Sequence, residues 1–325
     1  REAYGLSWAD IYDFSSKKQG LKKFQIEYGL PHKEMDIPWD QPVPDDRVAD
    51  VVEYCENDVN STDKVLDFRW QDYVARQILA EISGLPVNDS TQQHTAQIVF
   101  EGERNPQAEF EYTDLSEMFE GYTYSFGKSE YRGEDPSEGG YVYAEPGMYS
   151  NVALLDVESM HPSSIRALNA FGPYTKNYNE LVEARLAIKH KDFDKARSLL
   201  NGKLAPYLGD EKSSKELSYA LKIVINIVYG LTSAKFSNSF KDPRNIDNIV
   251  AKRGALFMID LKHFVQEQGY SVAHIKTDSI KIPDADENII GAVFEFGQKY
   301  GYSFEHEKTY EKLVLVNKAV YVAAY

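Results

Sequence analysis

The chain has one cysteine, Cys55, among 325 residues. An internal disulfide and a cysteine-cluster zinc site are therefore excluded, and a reducing, cytoplasmic setting fits. No apolar run reaches the roughly 18–20 residues that a membrane-spanning helix needs. Zinc-protease spacing of the H-E-x-x-H kind is absent among the seven histidines. A G-x-x-x-x-G-K-[ST] loop is absent too, which disfavours a P-loop ATPase. There is no internal repeat and no low-complexity tract. The chain opens on Arg1-Glu2-Ala3, with neither an initiator Met nor a signal-peptide pattern, and reads as a fragment. Bases are outnumbered, with 36 Lys and Arg against 51 Asp and Glu and a net charge of −15. That balance argues against nucleic acid as a partner, because phosphate contacts need cations. A locally basic groove on an acidic body would escape the argument, and metal-binding carboxylates would add to the acidic count.

What is present is a chain long enough for two or three units. Three prolines between Ile37 and Pro44 mark an extended loop. Val48, Val51, Val52 and Cys55 recur at helical spacing, predicting a helix from about Asp45 that continues to Val65 and Phe68. Tyr73 to Ile82 is predicted helical and stopped by Gly84. From Asn88 to Gly140 the pattern weakens to short Tyr- and Phe-rich strand candidates, with a loop at Gly133 to Gly140. Val152 to Leu155 is a short apolar strand ending at Asp156. Helices are predicted over Asn179–Leu200, Lys215–Ala234, Asn248–Gln268 and Glu287–Tyr300, the last two closed by Gly269 and Gly301. Ser271–Ile275 and Ile280–Ile282 flank Lys276-Thr277-Asp278-Ser279 as a hairpin. Leu313–Val316 and Val320–Ala323 are further strand candidates. Alternating strands and helices with an antiparallel hairpin predict an α+β fold, a sheet with helices on one face.

Two features point to chemistry. Asp156 ends a strand and Asp278 sits in a hairpin turn, so neighbouring strands could bring the two carboxylates together. Aspartate oxygens, with water and phosphate oxygens, suit Mg²⁺. Two such ions ~3.5–4 Å apart would clamp the attacking and leaving oxygens of an in-line phosphoryl transfer. Singly, an aspartate in a turn is usually a solvated turn-former. The second feature is a helix face. Lys222, Asn226, Tyr229 and Ser233 lie at i, i+4, i+7 and i+11, opposite the stripe of Leu217, Leu221, Val224, Ile225 and Val228. A lysine, an amide and a ring on one face suit a nucleoside triphosphate, and Gly230 beside the ring leaves room for close approach. Arg185 and Lys189 repeat the idea on the preceding helix, although ordinary solvated faces also carry charges at this spacing.

Taken in order, these segments resemble family B DNA polymerases, of the bacteriophage type in texture over Ser7–Asp63 and Glu138–Tyr325. The family's D-x-x-S-L-Y-P-S-I corresponds to Asp156-Val157-Glu158-Ser159-Met160-His161-Pro162-Ser163-Ser164. Its K-x-x-x-N-S-x-Y-G corresponds to Lys222, Asn226, Ile227, Tyr229 and Gly230, and its D-T-D-S to Lys276-Thr277-Asp278-Ser279. Gly139-Gly140-Tyr141-Val142 resembles the loop that joins the exonuclease and polymerase halves. Tyr54 to Asp58 resembles the third exonuclease motif, Y-x-x-x-D, and Lys318 to Tyr321 the K-K-x-Y primer grip.

The resemblance implies a template-directed nucleotidyltransferase working on primer-template DNA and dNTPs. Asp156 and Asp278, with the carbonyl of Val157, would hold two Mg²⁺ ions, for which Mn²⁺ may substitute. Ser159, Met160, His161, Arg185, Lys189, Lys222, Asn226 and Tyr229 would bind dNTP. Gly139, Gly140, Thr277, Lys318 and Tyr321 would meet DNA. Tyr54 and Asp58 would belong to an exonuclease remnant. It implies the end of a ribonuclease H-like exonuclease domain over 1–85 and a connecting region over 86–150. Palm segments follow over 151–178 and 237–325, around an antiparallel two-helix fingers insertion over 179–236. The first exonuclease motifs and the thumb would lie outside the chain. A monomer with no membrane partner is implied, in the host cytoplasm if phage-encoded, with other replication proteins as possible partners.

Departures from the family pattern are His161 for tyrosine, Lys276 for the first aspartate, Ile227 for serine and Ala319 for the second grip lysine. The tyrosine's ring excludes a ribose 2′-hydroxyl, so His161 bears on sugar selection. Glu307 stands where the family often has a glutamate near the palm site, though Glu305 and Glu307 also fit a solvated strand face. His94 could serve as a ligand, but reads first as a structural hydrogen-bonding histidine. A remnant that binds DNA or dNTP without turnover is the competing reading, and a nuclease built on Asp58 a third.

Overall fold

Glycines in left-handed conformations and side-chain caps set where the helices begin and end, and the fold follows from that punctuation. The computed structural model describes Trp8–Tyr325; Arg1–Ser7, and the reading of the chain's opening, lie outside the described residues. In chain order the helices are α1 (Ile11–Phe14), α2 (Leu21–Tyr28), α3 (Val48–Phe68), α4 (Trp70–Ser83), α5 (Thr91–Phe100), α6 (Leu115–Met118), α7 (Met160–Ala167), α8 (Thr175–Lys189), α9 (Phe193–Ser198), α10 (Glu211–Thr232), α11 (Ile249–Glu267) and α12 (Glu287–Lys299). The strands are β1 (Thr123–Ser125), β2 (Lys128–Glu130), β3 (Val142–Ala144), β4 (Gly147–Val157), β5 (His274–Lys276), β6 (Ser279–Pro283), β7 (Phe304–Leu315) and β8 (Tyr321–Ala324). No described helix is long and apolar enough to cross a membrane. The chain folds as two compact units, one of Arg1–Gly102 with Glu180–Ile227 and one of Glu103–Asn179 with Val228–Tyr325.

The first unit is helical. Gly84, at φ 75, closes α4 as expected, and α4 buries Ala75, Ile78, Leu79 and Ile82. Arg76 on α4 is buried, where its guanidinium donates to Asp13 Oδ2 (2.9 Å), Asp89 O (2.6 Å) and Thr91 Oγ1 (2.8 Å). A buried charge is tolerated only when paired and hydrogen-bonded in this way. The later segment joins the same body through Tyr219 Oη, which donates to Asp72 Oδ1 (2.5 Å), and Lys203 Nζ, which donates to Ile82 O (3.0 Å).

Two expectations are corrected here. Within Asn88–Gly140, where only weak strand candidates were expected, Thr91–Phe100 is a helix: Ser90 and Gln93 form a capping box, and the helix buries His94, Thr95, Val99 and Phe100. The helix expected over Asn179–Leu200 is two helices. Lys191 turns left-handed at φ 60, and the Asp192 side chain caps α9 by accepting from Lys195 N. His94 is the structural histidine expected, fully buried with Nδ1 at 2.8 Å from Ser83 Oγ.

The second unit carries a six-stranded antiparallel sheet of order β3-β5-β6-β4-β7-β8. Both β4 and β7 run longer than their sequence patterns showed. Register fixes the faces, because residues directly opposite share one. Leu155 faces Ile280, which faces Ile275, and Val157 faces Phe304. Phe304 packs against Phe257 of α11 and Phe294 of α12, so this row is the helix-covered side. Leu155, Ile275 and Ile280 are each fully buried, and each such burial stabilises by roughly 1.5–3 kcal/mol. The other face carries Asp156, opposite Ser279 and Glu305, together with Leu154, Lys281 and His274.

Gly172 follows α7 at φ 53, and a Cβ there would run into the carbonyl oxygen of Glu109. Gly172→Ala is therefore expected to cost more than about 1 kcal/mol, read as a lower urea midpoint at unchanged slope. An unchanged midpoint would contradict this packing.

Candidate functional site

The site starts from one backbone hydrogen bond. Val157 N donates to Asp278 O at 2.8 Å, and Asp156 is paired with Ser279. The end of β4 and the β5–β6 turn are thereby fixed side by side, which brings Asp156 and Asp278 together. The turn itself is strained. Thr277 sits at φ 56, a left-handed position that is an outlier for a β-branched residue. Its N–H donates to Tyr141 O at 2.9 Å, and Ser279 Oγ donates to Lys276 O at 3.3 Å. Gly140 packs directly on it, for a Cβ there would lie 2.8 Å from Thr277 Cγ2. Ser137 Oγ in turn donates to Gly140 O at 2.5 Å. The Gly139-Gly140 loop thus clamps the turn that bears Asp278.

Burial, then the charges of Asp278, Glu307 and Glu305, push the Asp156 carboxyl up to about 7, against an opposing pull from Lys281. Asp278 is raised as well, chiefly by burial and also by Glu307, while its own backbone hydrogen bond and Lys281 oppose the shift. Glu307 earns this influence from a β-bulge. The β4–β7 register steps from Leu154↔Lys308 to Leu155↔His306, leaving Glu307 as the extra residue. Lys281 is buried, and burial depresses its ammonium. It donates to His274 Nδ1 at 3.2 Å and lies 5.0 Å from the Tyr321 ring. His274 Nε2 donates to Lys318 O at 3.2 Å, so the Lys318–Tyr321 segment is tied to the same strands.

Among the described residues no group of three or more His, Cys, Asp or Glu is arranged to hold a metal ion. The carboxylate pair nevertheless fits Mg²⁺, which is commonly held by one or two carboxylates plus substrate phosphates. Burial and neighbouring like charges that raise the Asp156 carboxyl are what a divalent cation would offset.

The remaining expected residues fall as follows. Val157 and Met160 are buried, Met160 against Gly254, so only their main-chain groups can meet a ligand. Ser159, at φ 59, precedes α7. His161 stacks on Tyr229 with ring centroids 3.7 Å apart and planes 1° apart. Burial holds its imidazole down at about 4, so it is neutral at pH 7, and its Nδ1 is buried without a partner. In the first unit, Lys222 and Asn226 are exposed on α10, and Arg185 and Lys189 lie four apart on α8. Asn226 lines a cavity with Ser16, Lys18, Thr91 and Gln92. Asp58 accepts from Lys22 Nζ (2.9 Å) and Gln25 Nε2 (3.2 Å), and the same ammonium lies 4.2 Å from the Tyr54 ring. A lysine therefore already neutralises Asp58.

Sequence reasoning missed two groups. One is Lys281 with His274; strand alternation puts Lys281 on the Asp156 face and could have found it. The other joins Glu134, Tyr141 and Lys262. Lys262 Nζ donates to Glu134 Oε2 (2.6 Å) and Tyr141 Oη (2.9 Å), Tyr141 Oη donates to Glu134, and His263 Nε2 lies 3.0 Å from Glu134 Oε1. It holds the residue whose carbonyl holds Thr277, and no local pattern signals it.

Comparison with known proteins gives a partial relationship. No family model matches the chain. It is 32% identical over 158 residues to DNA polymerase II of Escherichia coli (strain K12), a match covering 44% of this chain and 19% of that protein. Among solved structures it is similar to the family B DNA polymerase of the archaeon Pyrobaculum calidifontis, with a TM-score of 0.45 and 17% identity. That match covers 98% of this chain and 44% of the archaeal one. The matches thus span 19% of the bacterial relative and 44% of the archaeal one, and the chain's sequence is related to a DNA polymerase over part of its length.

The carboxylate shifts have a sign. Asp156 binds its proton more tightly folded than unfolded, so its contribution is fully present below pH about 4 and is lost as pH rises through about 7. Without divalent cations, the melting temperature should fall across that window. Asp156→Asn should flatten the fall. An equal slope in the variant would contradict the buried pair.

Proposed function

We propose that the chain is the core of a family B DNA polymerase and transfers dNMP from a dNTP to a primer 3′-hydroxyl under template direction. The six-stranded sheet would be the palm, α8–α10 the fingers, and the N-terminal helices the end of a 3′–5′ exonuclease domain. The observation that carries the reading is the juxtaposition of Asp156 and Asp278 on a strand end and its neighbouring turn, supported by the partial match to a DNA polymerase.

Asp156 and Asp278, with the Val157 carbonyl, are the residues that would hold two Mg²⁺ ions. When bound, the metal supplies charge stabilisation to the attacking and leaving oxygens. In the reaction the primer 3′-hydroxyl gives up its proton to solvent as its oxygen bonds the α-phosphorus of the dNTP, the bond from that phosphorus to the bridging oxygen breaks, and pyrophosphate leaves. The chain's own part is positioning and charge. Deprotonated Asp156 and Asp278 give the pair its cation affinity. Gly140 and the Tyr141 carbonyl hold the Thr277 turn, and so the Asp278 carboxylate, in place before substrate arrives. The neutral His161 ring, stacked on Tyr229, is assigned with it to the sugar and base of the dNTP by resemblance. Arg185, Lys189, Lys222 and Asn226 are assigned to the triphosphate, and Ser159 and Met160 to it through main-chain amides, by resemblance.

Primer extension with Mg²⁺ and dNTPs tests the reading. Wild-type protein is expected to extend a primer. Asp156→Asn and Asp278→Asn should each cut the rate by more than the roughly 10–100-fold typical of losing an outer-shell metal partner, with an unchanged circular-dichroism spectrum. Extension that survives both substitutions, or duplex binding without any extension, would overturn it. Gly140→Ala should slow extension without removing it, by pushing on Thr277.

A further inference from the structure

Ser159 is strained, and it sits between two anchors. It is left-handed at φ 59, a conformation that residues other than glycine hold only with support from their surroundings. On one side, Glu158 N donates to Ser303 O at 2.8 Å. On the other, the Met160 carbonyl accepts from Ser164 Oγ at 3.1 Å, four residues further along α7. Ser164 Oγ in turn lies 2.7 Å from Tyr302 Oη. A serine hydroxyl has one proton, and this one goes to Met160 O, so Tyr302 is the donor to Ser164. Both anchors of Ser159 therefore lead to one dipeptide, Tyr302-Ser303, just before β7.

Tyr302 is held in place from several sides. Its ring centroid lies 4.5 Å from that of Phe257 and 4.9 Å from the Arg253 guanidinium, and its amide donates to Gly297 O at 2.9 Å. Ser164 and Tyr302 are both fully buried, and two hydroxyls in such a place cost free energy unless each finds a partner. The family pattern has isoleucine where this chain has Ser164, so an apolar residue could fill the position without needing a partner. The hydroxyl acts on the Met160 carbonyl. That carbonyl and the His161 amide belong to one rigid peptide plane, so fixing the oxygen also fixes the amide that leads to the His161 ring.

We propose that Ser164 and Tyr302 are positioning residues for an incoming nucleoside triphosphate. Together they hold the turn of Ser159, Met160 and His161 in the conformation that presents its main-chain amides and sets the His161 ring on Tyr229. Both act through that turn, from within the core. The proposal deepens the polymerase reading and rests on it for the identity of the ligand.

Tyr302→Phe and Ser164→Ala each remove one hydroxyl and keep the surrounding shape. Primer extension over a series of dNTP concentrations should give a KM for dNTP roughly fivefold higher in either variant, the scale of one hydrogen bond. The kcat should stay within about twofold of wild type. Because the two hydroxyls share one bond, the double variant should lose no more than the worse single. Hydrogen exchange of the segment from Glu158 to Ser163, followed by mass spectrometry on the ligand-free protein, should be faster in both single variants. A KM unchanged in both singles overturns the proposal, whatever their melting temperatures, because a merely structural pair would lower stability alone. A double variant whose loss is the product of the two single losses overturns it as well. The two readings fail separately. Extension by wild-type protein with unchanged KM in the variants sinks the positioning role and leaves the polymerase reading standing. No extension by wild-type protein, with exchange faster in both variants, sinks the polymerase reading and the triphosphate with it, but not the brace.

Discussion

The hydrogen bond from the Val157 amide to the Asp278 carbonyl is the contact on which the rest depends. It sets the register in which β4 ends beside the β5–β6 turn, and that register brings two aspartates together on the sheet face opposite α11 and α12. A shift of one residue would turn Asp156 into the helix-covered row of Leu155, Ile280 and Phe304. The apolar row is therefore what keeps Asp156 on the face away from α11 and α12. Folding energy and chemistry are tied to the same strand alternation.

Burying the carboxylates has a cost, visible in the upward displacement of both groups, to which the charge of Asp278 adds at Asp156. Lys281 offsets part of it from within the sheet, while Glu307, aimed by its bulge, adds to it. The balance is a site short of positive charge, held on a turn that would not keep its shape alone. Thr277 stays left-handed because Gly140 leaves it room and the Tyr141 carbonyl takes its amide. Tyr141 is fixed in turn by Glu134 and Lys262 of α11. Strain of about 1–3 kcal/mol at such a residue persists only where its surroundings over-determine it, and here the Glu134–Tyr141 stretch and α11 do so together.

Much of this was legible in the sequence where the signal was local. The apolar run before Asp156, the hairpin around Asp278 and the stripe of α10 opposite Lys222 are patterns of a few residues at fixed spacing. His94 could be read as structural because it sits on no metal-binding pattern. The Thr91–Phe100 helix was hidden by its polar first turn, although Ser90 and Gln93 carry a capping signature. The break at Lys191 left no mark because helical spacing resumes beyond it. Lys281 with His274, and Glu134 with Tyr141 and Lys262, are assembled by tertiary structure. Glu134 and Lys262 lie 128 positions apart, and spacing rules do not reach that far.

Direct titration of Mn²⁺ into the free protein, followed by electron paramagnetic resonance, tests the central claim most directly. A carboxylate pair held together at the end of β4 and its neighbouring turn should bind the ion, with Mg²⁺ competing for it, and the signal change should disappear in Asp156→Asn and in Asp278→Asn. Binding that is the same in wild type and both variants would mean that the two aspartates do not form one cation site.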